Sequence, residues 1–217
     1  MKKITLWLFF IAIASVAQNT YVPDDKFEQY LIDEGYDAGP LDNYVPTAKI
    51  ANITTLELYS KGITDLTGIE DFTSLAILRI SDSNAYINVL DISKNTGLEY
   101  LRISYSNLNA IDLSKNTQLI DISFSYCPNL KTIDVSSNTQ LTKFYTYRMP
   151  IKTIDTSNNS NLNELNLIYT PIENLDISTN NNLKKLNLFD TEVSDLSLSN
   201  NANPVSYTHL RAHETVR

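Results

Sequence analysis

An apolar pattern that returns every 21 to 23 residues constrains this chain more than any other feature. Aligning Ile53, Leu75, Leu98, Leu119, Leu141, Leu162 and Leu183 gives spacings of 22, 23, 21, 22, 21 and 21 residues. Counted from the first residue of a unit, apolar side chains fill places 1, 4, 6, 11, 14 and 16. In one unit these are Leu98, Leu101, Ile103, Leu108, Ile111 and Leu113. The alternation around places 4 and 6 predicts a short strand with those side chains inward. A unit this short cannot bury its apolar face alone. Stacked units bury a continuous core, so stability is a sum of neighbour terms. With strands about 4.8 Å apart, seven coils predict a body roughly 34 Å long.

A second periodicity is polar. Place 19, or its equivalent in the longer units, holds Asn95, Asn116, Asn138, Asn159, Asn180 and Asn201, and serine stands two residues earlier each time. A buried asparagine can donate to and accept from turn backbone that no strand partner satisfies. Stacking turns those amides into a structural ladder, which accounts for their regular spacing without a ligand. Place 15 or its equivalent holds Asp91, Asp112, Asp134, Asp155 and Asp176. Like charges one strand spacing apart repel. Solvent and Lys94, Lys115, Lys131 and Lys152 are expected to relieve them. Calcium suits carboxylate oxygens, but no compact calcium loop is present, so no metal is expected.

Written out, the unit LEYLRISYSNLNAIDLSKNTQ resembles the leucine-rich repeat, LxxLxLxxNxL, and about 150 residues share the pattern. Its nested second half, LxxLDLSxNxx, resembles the 21-residue repeats of secreted proteins from Bacteroidota. The stretch TYVPDDKFEQYLIDEGYD is similar to the N-terminal cap of such proteins. The resemblance implies a solenoid of about seven stacked coils with short parallel strands and an N-terminal helical cap. It also implies that Cys127, at place 9 beside Ser83, Ser106, Thr170 and Thr191, is a buried filler.

The two ends carry other signals. Met1-Lys2-Lys3, an apolar run from Ile4 to Ala14 and Ser15-Val16-Ala17 predict a signal peptide over 1–17, cleaved before Gln18. The apolar run is shorter than the roughly 20 residues of a membrane span. No membrane span is therefore expected after cleavage. The segment 18–52 is expected to cap the array. Asp24 or Asp25 starts a helix there, with Phe27, Tyr30 and Leu31 on one face and Gly35 as the stop. The repeats run over 53–203. Val205 to Thr215 translates, in frame, a DNA string resembling a transposase adaptor of sequencing libraries. Residues 204–217 are thus expected to be a non-native tail on a truncated array.

Excluding both ends removes both histidines, His209 and His213, and the one tryptophan, Trp7. The whole chain has net charge −8, and the remainder is more acidic still. An acidic surface argues against nucleic acid, whose phosphates favour a basic face. One cysteine allows no internal disulfide. Without histidine the usual triads and zinc sites are absent, and no glycine-rich phosphate loop appears. No enzyme activity and no cofactor are expected.

Outward places of the strands carry Tyr59, Tyr100, Arg102, Tyr105, Tyr126, Tyr145, Tyr147, Arg148, Tyr169 and Phe189. Tyrosine and arginine are enriched where binding energy concentrates. This sheet face is the expected ligand surface of a secreted or cell-surface interaction or adhesion scaffold, for a protein or glycan. The alternative is an accessory repeat region of a secreted enzyme whose catalytic domain lies beyond the truncation.

The coil starting at Leu141 departs from the pattern, with Thr146 and Thr156 inward and Met149 at place 9. Each threonine loses apolar burial and needs a hydroxyl partner. Hydrogen exchange should open this coil before its neighbours. Uniform protection along the array would contradict the expectation.

Overall fold

The computed structural model describes residues 18–83, 86–197 and 201, with the backbone of 206–208 and 215–216. The expected signal peptide, 1–17, lies outside the described residues, as does most of the expected tail. Seven parallel strands form one sheet in chain order: β3 (Thr55–Tyr59), β4 (Ile77–Ser81), β5 (Tyr100–Ser104), β6 (Asp121–Ser125), β7 (Lys143–Tyr147), β8 (Glu164–Ile168) and β9 (Lys185–Asn187). β3 to β8 lie at places 3 to 7 of their units and β9 at places 3 to 5, each in register with the next, Leu101 beside Ile122 and Ile122 beside Phe144. They bound six complete turns of a solenoid whose core is continuous from Val22 to Leu196. The inward places 1, 4 and 6 are buried throughout, including Leu98, Leu101, Ile103, Phe124 and Leu167. Ile111, expected inside, is only partly buried against this core, unlike Leu66, Ile154 and Leu175 at the same place of other coils, which are buried.

Further short strands complete the order. β10 (Asp195–Leu196) pairs with β12 (Thr215–Val216), and β11 (Ser206–Thr208) adds to β9 with Ser206 opposite Lys185. Three extended residues suffice to pair with an open strand edge, whatever their origin.

The first coil is closed by more than a helix. β1 (Asn19–Tyr21) and β2 (Tyr44–Pro46) form an antiparallel ribbon, with α1 (Asp25–Asp33) and the single turn α2 (Thr47–Ile50) beside it. Asp24 caps α1, accepting the backbone N–H of Lys26 and Phe27. Its other oxygen accepts Thr64 N–H, Thr64 hydroxyl and Asp65 N–H, tying the cap to the first coil. Partial burial alone would raise this carboxyl's pKa; the hydrogen bonds outweigh it and leave it lowered. Glu28, fully buried, accepts Asp42 N–H and Asn43 N–H at 2.8 and 3.0 Å and so holds the loop between α1 and β2. Where β1 crosses the first coil, a Cβ on Gly68 would lie 2.8 Å from the Tyr21 carbonyl, and φ is 102°, so only glycine fits.

Opposite the sheet, the turns are held by asparagine. Asn116 Nδ2 donates to Ile92 and Asn95 carbonyls, Asn138 Nδ2 to Leu113 and Asn116, and Asn159 Nδ2 to Val135 and Asn138. Asn95, Asn180 and Asn201 repeat the arrangement. Two carbonyls facing one atom identify it as the amide nitrogen, so the side-chain orientation is set chemically. The expected acceptance by Oδ1 is not general. Only Asn180 Oδ1 accepts, from the Thr156 hydroxyl at 2.9 Å, while the same atom of Asn95, Asn116, Asn138, Asn159 and Asn201 has no protein partner. Both nonstandard threonines are thereby satisfied, since Thr146 Oγ1 lies 3.2 Å from Thr170 Oγ1. What the Leu141 coil retains as a weakness is lost apolar area alone.

Asn138→Ala removes two donors to buried carbonyls in the middle of the array. An orphaned buried acceptor costs roughly 1–3 kcal/mol. The substitution should lower the urea midpoint, by far more than Asn158→Ala at an exposed neighbouring position.

Candidate functional site

Every strand of the array except β4 is followed by the same unusual turn, and that turn builds the candidate surface. The residue at place 8 is left-handed in five aligned units: Tyr105 (φ 57°), Tyr126 (53°), Arg148 (51°), Tyr169 (52°) and Asp190 (55°). Ser60 does the same in the first coil. This conformation aims the backbone N–H at the next coil. Tyr105 donates to the Ser125 carbonyl, Tyr126 to Tyr147, Arg148 to Ile168 and Tyr169 to Phe189, all at 2.9 to 3.0 Å. Glycine or asparagine would adopt it at least cost. None of these six positions holds either, although a bulky residue there costs about 1 kcal/mol or more.

Those turns gather side chains into a row. Ring centroids run Tyr105 to Tyr126 at 4.6 Å, Tyr126 to Tyr147 at 5.3 Å, Tyr147 to Tyr169 at 5.4 Å and Tyr169 to Phe189 at 5.2 Å. The first pair is stacked; the rest meet edge to face. The row draws on both places 8 and 7, since Tyr147 and Phe189 precede the left-handed residue of their coils. Arg148 fills the position so vacated. Its guanidinium lies 5.8 Å from the Tyr126 and Tyr147 ring centroids and 5.0 Å from that of Tyr169. Hydrogen bonding to Arg148, and then to Tyr126, lowers the pKa of the Tyr147 phenol.

The predicted face is therefore two surfaces. Tyr100, Arg102 and Tyr145 stand on the strand face itself, at places 3 and 5. Arg102, Asp121, Lys143, Tyr145, Glu164 and Asn166 line an open groove there of about 270 Å³. Its charges largely answer one another: Arg102 lies 3.5 Å from Asp121, and Lys185 lies 3.6 Å from Glu164. Glu57 and Arg79 pair on the first two strands. Such exposed pairs contribute little stability. Tyr59 stands apart from the aromatic row, 46% exposed. The sequence pattern placed these aromatics on one face because strand alternation does not reveal the left-handed turn at place 8.

The aspartate stripe has a role that charge reasoning missed. Asp91, Asp112, Asp134, Asp155 and Asp176 each accept the backbone N–H of the serine two residues on, at 2.8 to 2.9 Å. Asx turns of this kind explain both the aspartate and the serine of the nested motif. Backbone and hydroxyl bonds from that serine lower all five pKa values. Cys127 is buried, with Sγ 3.3 Å from the Ser125 carbonyl. Burial raises its pKa, which suits packing and not nucleophilic chemistry.

This geometry has known counterparts. An internalin from Listeria monocytogenes superposes with a TM-score of 0.72 at 20% identity, over 86% of this chain and 56% of its own. Internalin C2 from the same organism gives 0.58 at 19% identity, over 89% and 99%. A leucine-rich-repeat protein of Leptospira interrogans gives 0.54 at 13% identity, over 75% and 52%. The chain thus spans just over half the length of the first of these. No family model matches the sequence, and no curated protein is significantly similar to it. The protein is a leucine-rich-repeat solenoid. At these identities the likeness concerns the fold.

Lowered aspartate pKa values have a signed consequence. The unfolded chain, with ordinary carboxyls, takes up protons first as pH falls. Stability from the Asx turns is present above about pH 4 and lost as pH falls through the lower folded-state values. Thermal midpoints should hold between neutral pH and about pH 5 and drop below about pH 4. Asp134→Asn with Asp155→Asn should flatten that acid limb.

Proposed function

We propose that this chain is an extracellular interaction or adhesion module that binds its partner through the aromatic row and the adjoining strand face. The observation that carries the reading is the cost of the row. Four of the six left-handed positions hold tyrosine or arginine where glycine or asparagine would relieve strain. Stability alone does not favour that choice, whereas a rigid aromatic surface rich in tyrosine and arginine suits protein recognition. With Tyr105 and Tyr126 stacked on each other and Arg148 over Tyr126, Tyr147 and Tyr169, these rings offer little free face to a sugar. A protein partner is therefore favoured over a glycan.

The acidic composition supports a partner other than nucleic acid. No helix among the described residues is long and apolar enough to cross a membrane. Export rests on the signal-peptide reading of residues 1–17, and secretion or surface display follows from it. The structural likeness to internalins is compatible with a scaffold role.

The labelled protein should be screened against intact cells, extracellular proteins and a glycan array. Replacing Tyr145, Tyr147 and Arg148 together by alanine should then weaken the captured interaction at least about tenfold, as loss of interface anchors does. Circular dichroism should confirm that the fold survives. Unchanged affinity in a folded variant would reject the assignment.

A further inference from the structure

One pair in the aromatic row differs from the rest. Tyr105 and Tyr126 have ring centroids 4.6 Å apart and planes only 5° from parallel. Tyr126–Tyr147 and Tyr147–Tyr169 meet at 61° and 83°, and Tyr21–Tyr44, on the cap ribbon, at 5.5 Å and 52°. The backbone imposes the difference. Ser104 and Ser125 are register partners with hydroxyls 2.6 Å apart. The tyrosines that follow them share the same left-handed turn, so they start one strand spacing apart and leave in the same direction. In a parallel pair the ring carbons ortho to the two hydroxyls stand side by side. In an edge-to-face pair one ring's edge meets the other's face, and the ortho carbons do not oppose each other. Both residues of the pair are partly exposed.

We propose that Tyr105 and Tyr126 form an oxidative cross-linking site, where a one-electron oxidant of the haem-peroxidase class, working with hydrogen peroxide, joins the two rings through a carbon–carbon bond. Each phenol gives up one electron and its hydroxyl proton to become a tyrosyl radical. The two radicals couple at ortho carbons. Each ring then moves its displaced ortho hydrogen to oxygen and regains aromaticity. The pair loses two electrons and two protons in all, and peroxide takes them up as it is reduced to two waters. The bond ties two successive coils in a protein whose one cysteine, Cys127, is buried and forms no disulfide. The row also feeds the site. Tyr147 is one ring contact from Tyr126, so a radical formed there can pass to the pair. The site is independent of the partner-binding reading, because cross-linking needs no ligand.

The test is to treat the dilute folded protein with a haem peroxidase and hydrogen peroxide, then isolate the monomer. The expected product has lost two hydrogen atoms in mass, shows dityrosine fluorescence, and yields on proteolysis a peptide linking Tyr105 to Tyr126. Its urea midpoint should rise. Tyr105→Phe and Tyr126→Phe should each abolish that linkage while circular dichroism stays unchanged. A main linkage at Tyr21–Tyr44 or Tyr126–Tyr147, cross-links only between molecules, or a product that survives in Tyr105→Phe would overturn the proposal.

Discussion

Stacking of coils depends on what happens to the carbonyls of the turns opposite the sheet. The strands satisfy their own backbone through in-register pairing. Away from the sheet, backbone pairing between coils is sparse, as at Thr153 and Asn174, and a buried carbonyl without a donor is costly. One asparagine per coil, fully buried from Asn95 to Asn180, reaches into the preceding coil with both amide hydrogens. The apolar core supplies the driving force. The asparagine sets how far apart successive coils can sit, because its two bonds fail if the rise changes. Sheet spacing at the front and amide spacing at the back therefore agree coil after coil.

That agreement is what makes a surface possible. A row of rings 4.6 to 5.4 Å apart exists because every coil repeats its neighbour's backbone. At Tyr105, Tyr126, Arg148 and Tyr169 the left-handed residue after the strand serves two ends at once. Its N–H extends pairing beyond the strand, and its side chain is turned into the row. Where the Leu141 unit puts arginine at that position, the preceding Tyr147 takes over the ring's place and the guanidinium lies among three tyrosines. The row survives the change because it is defined by coil spacing and not by one sequence position.

The cap follows a different logic. It has no repeat to copy, so it is built from specific polar bonds. Asp24 joins α1 to the first coil, Glu28 holds the following loop, and Thr20 bonds both Thr47 and Asp71. The helix itself was legible from Asp24, the apolar face of Phe27 and Leu31, and Gly35. The β1–β2 ribbon and the buried Glu28 were not, since three-residue strands and one loop-bound carboxylate leave no periodic trace.

Sequence alone determined the solenoid, its period, the strand positions and the buried asparagines, because each recurs with a spacing that only stacked coils explain. It also revealed which residues were aromatic. Tertiary structure decided how they are arranged. Backbone handedness at place 8 separated Tyr105, Tyr126, Tyr147, Tyr169 and Phe189 from Tyr100 and Tyr145, and converted the aspartate stripe from a charge problem into a set of turn caps. Both depend on the direction of single N–H groups. Composition and periodicity carry no information about that direction, which is settled only when neighbouring coils are in contact.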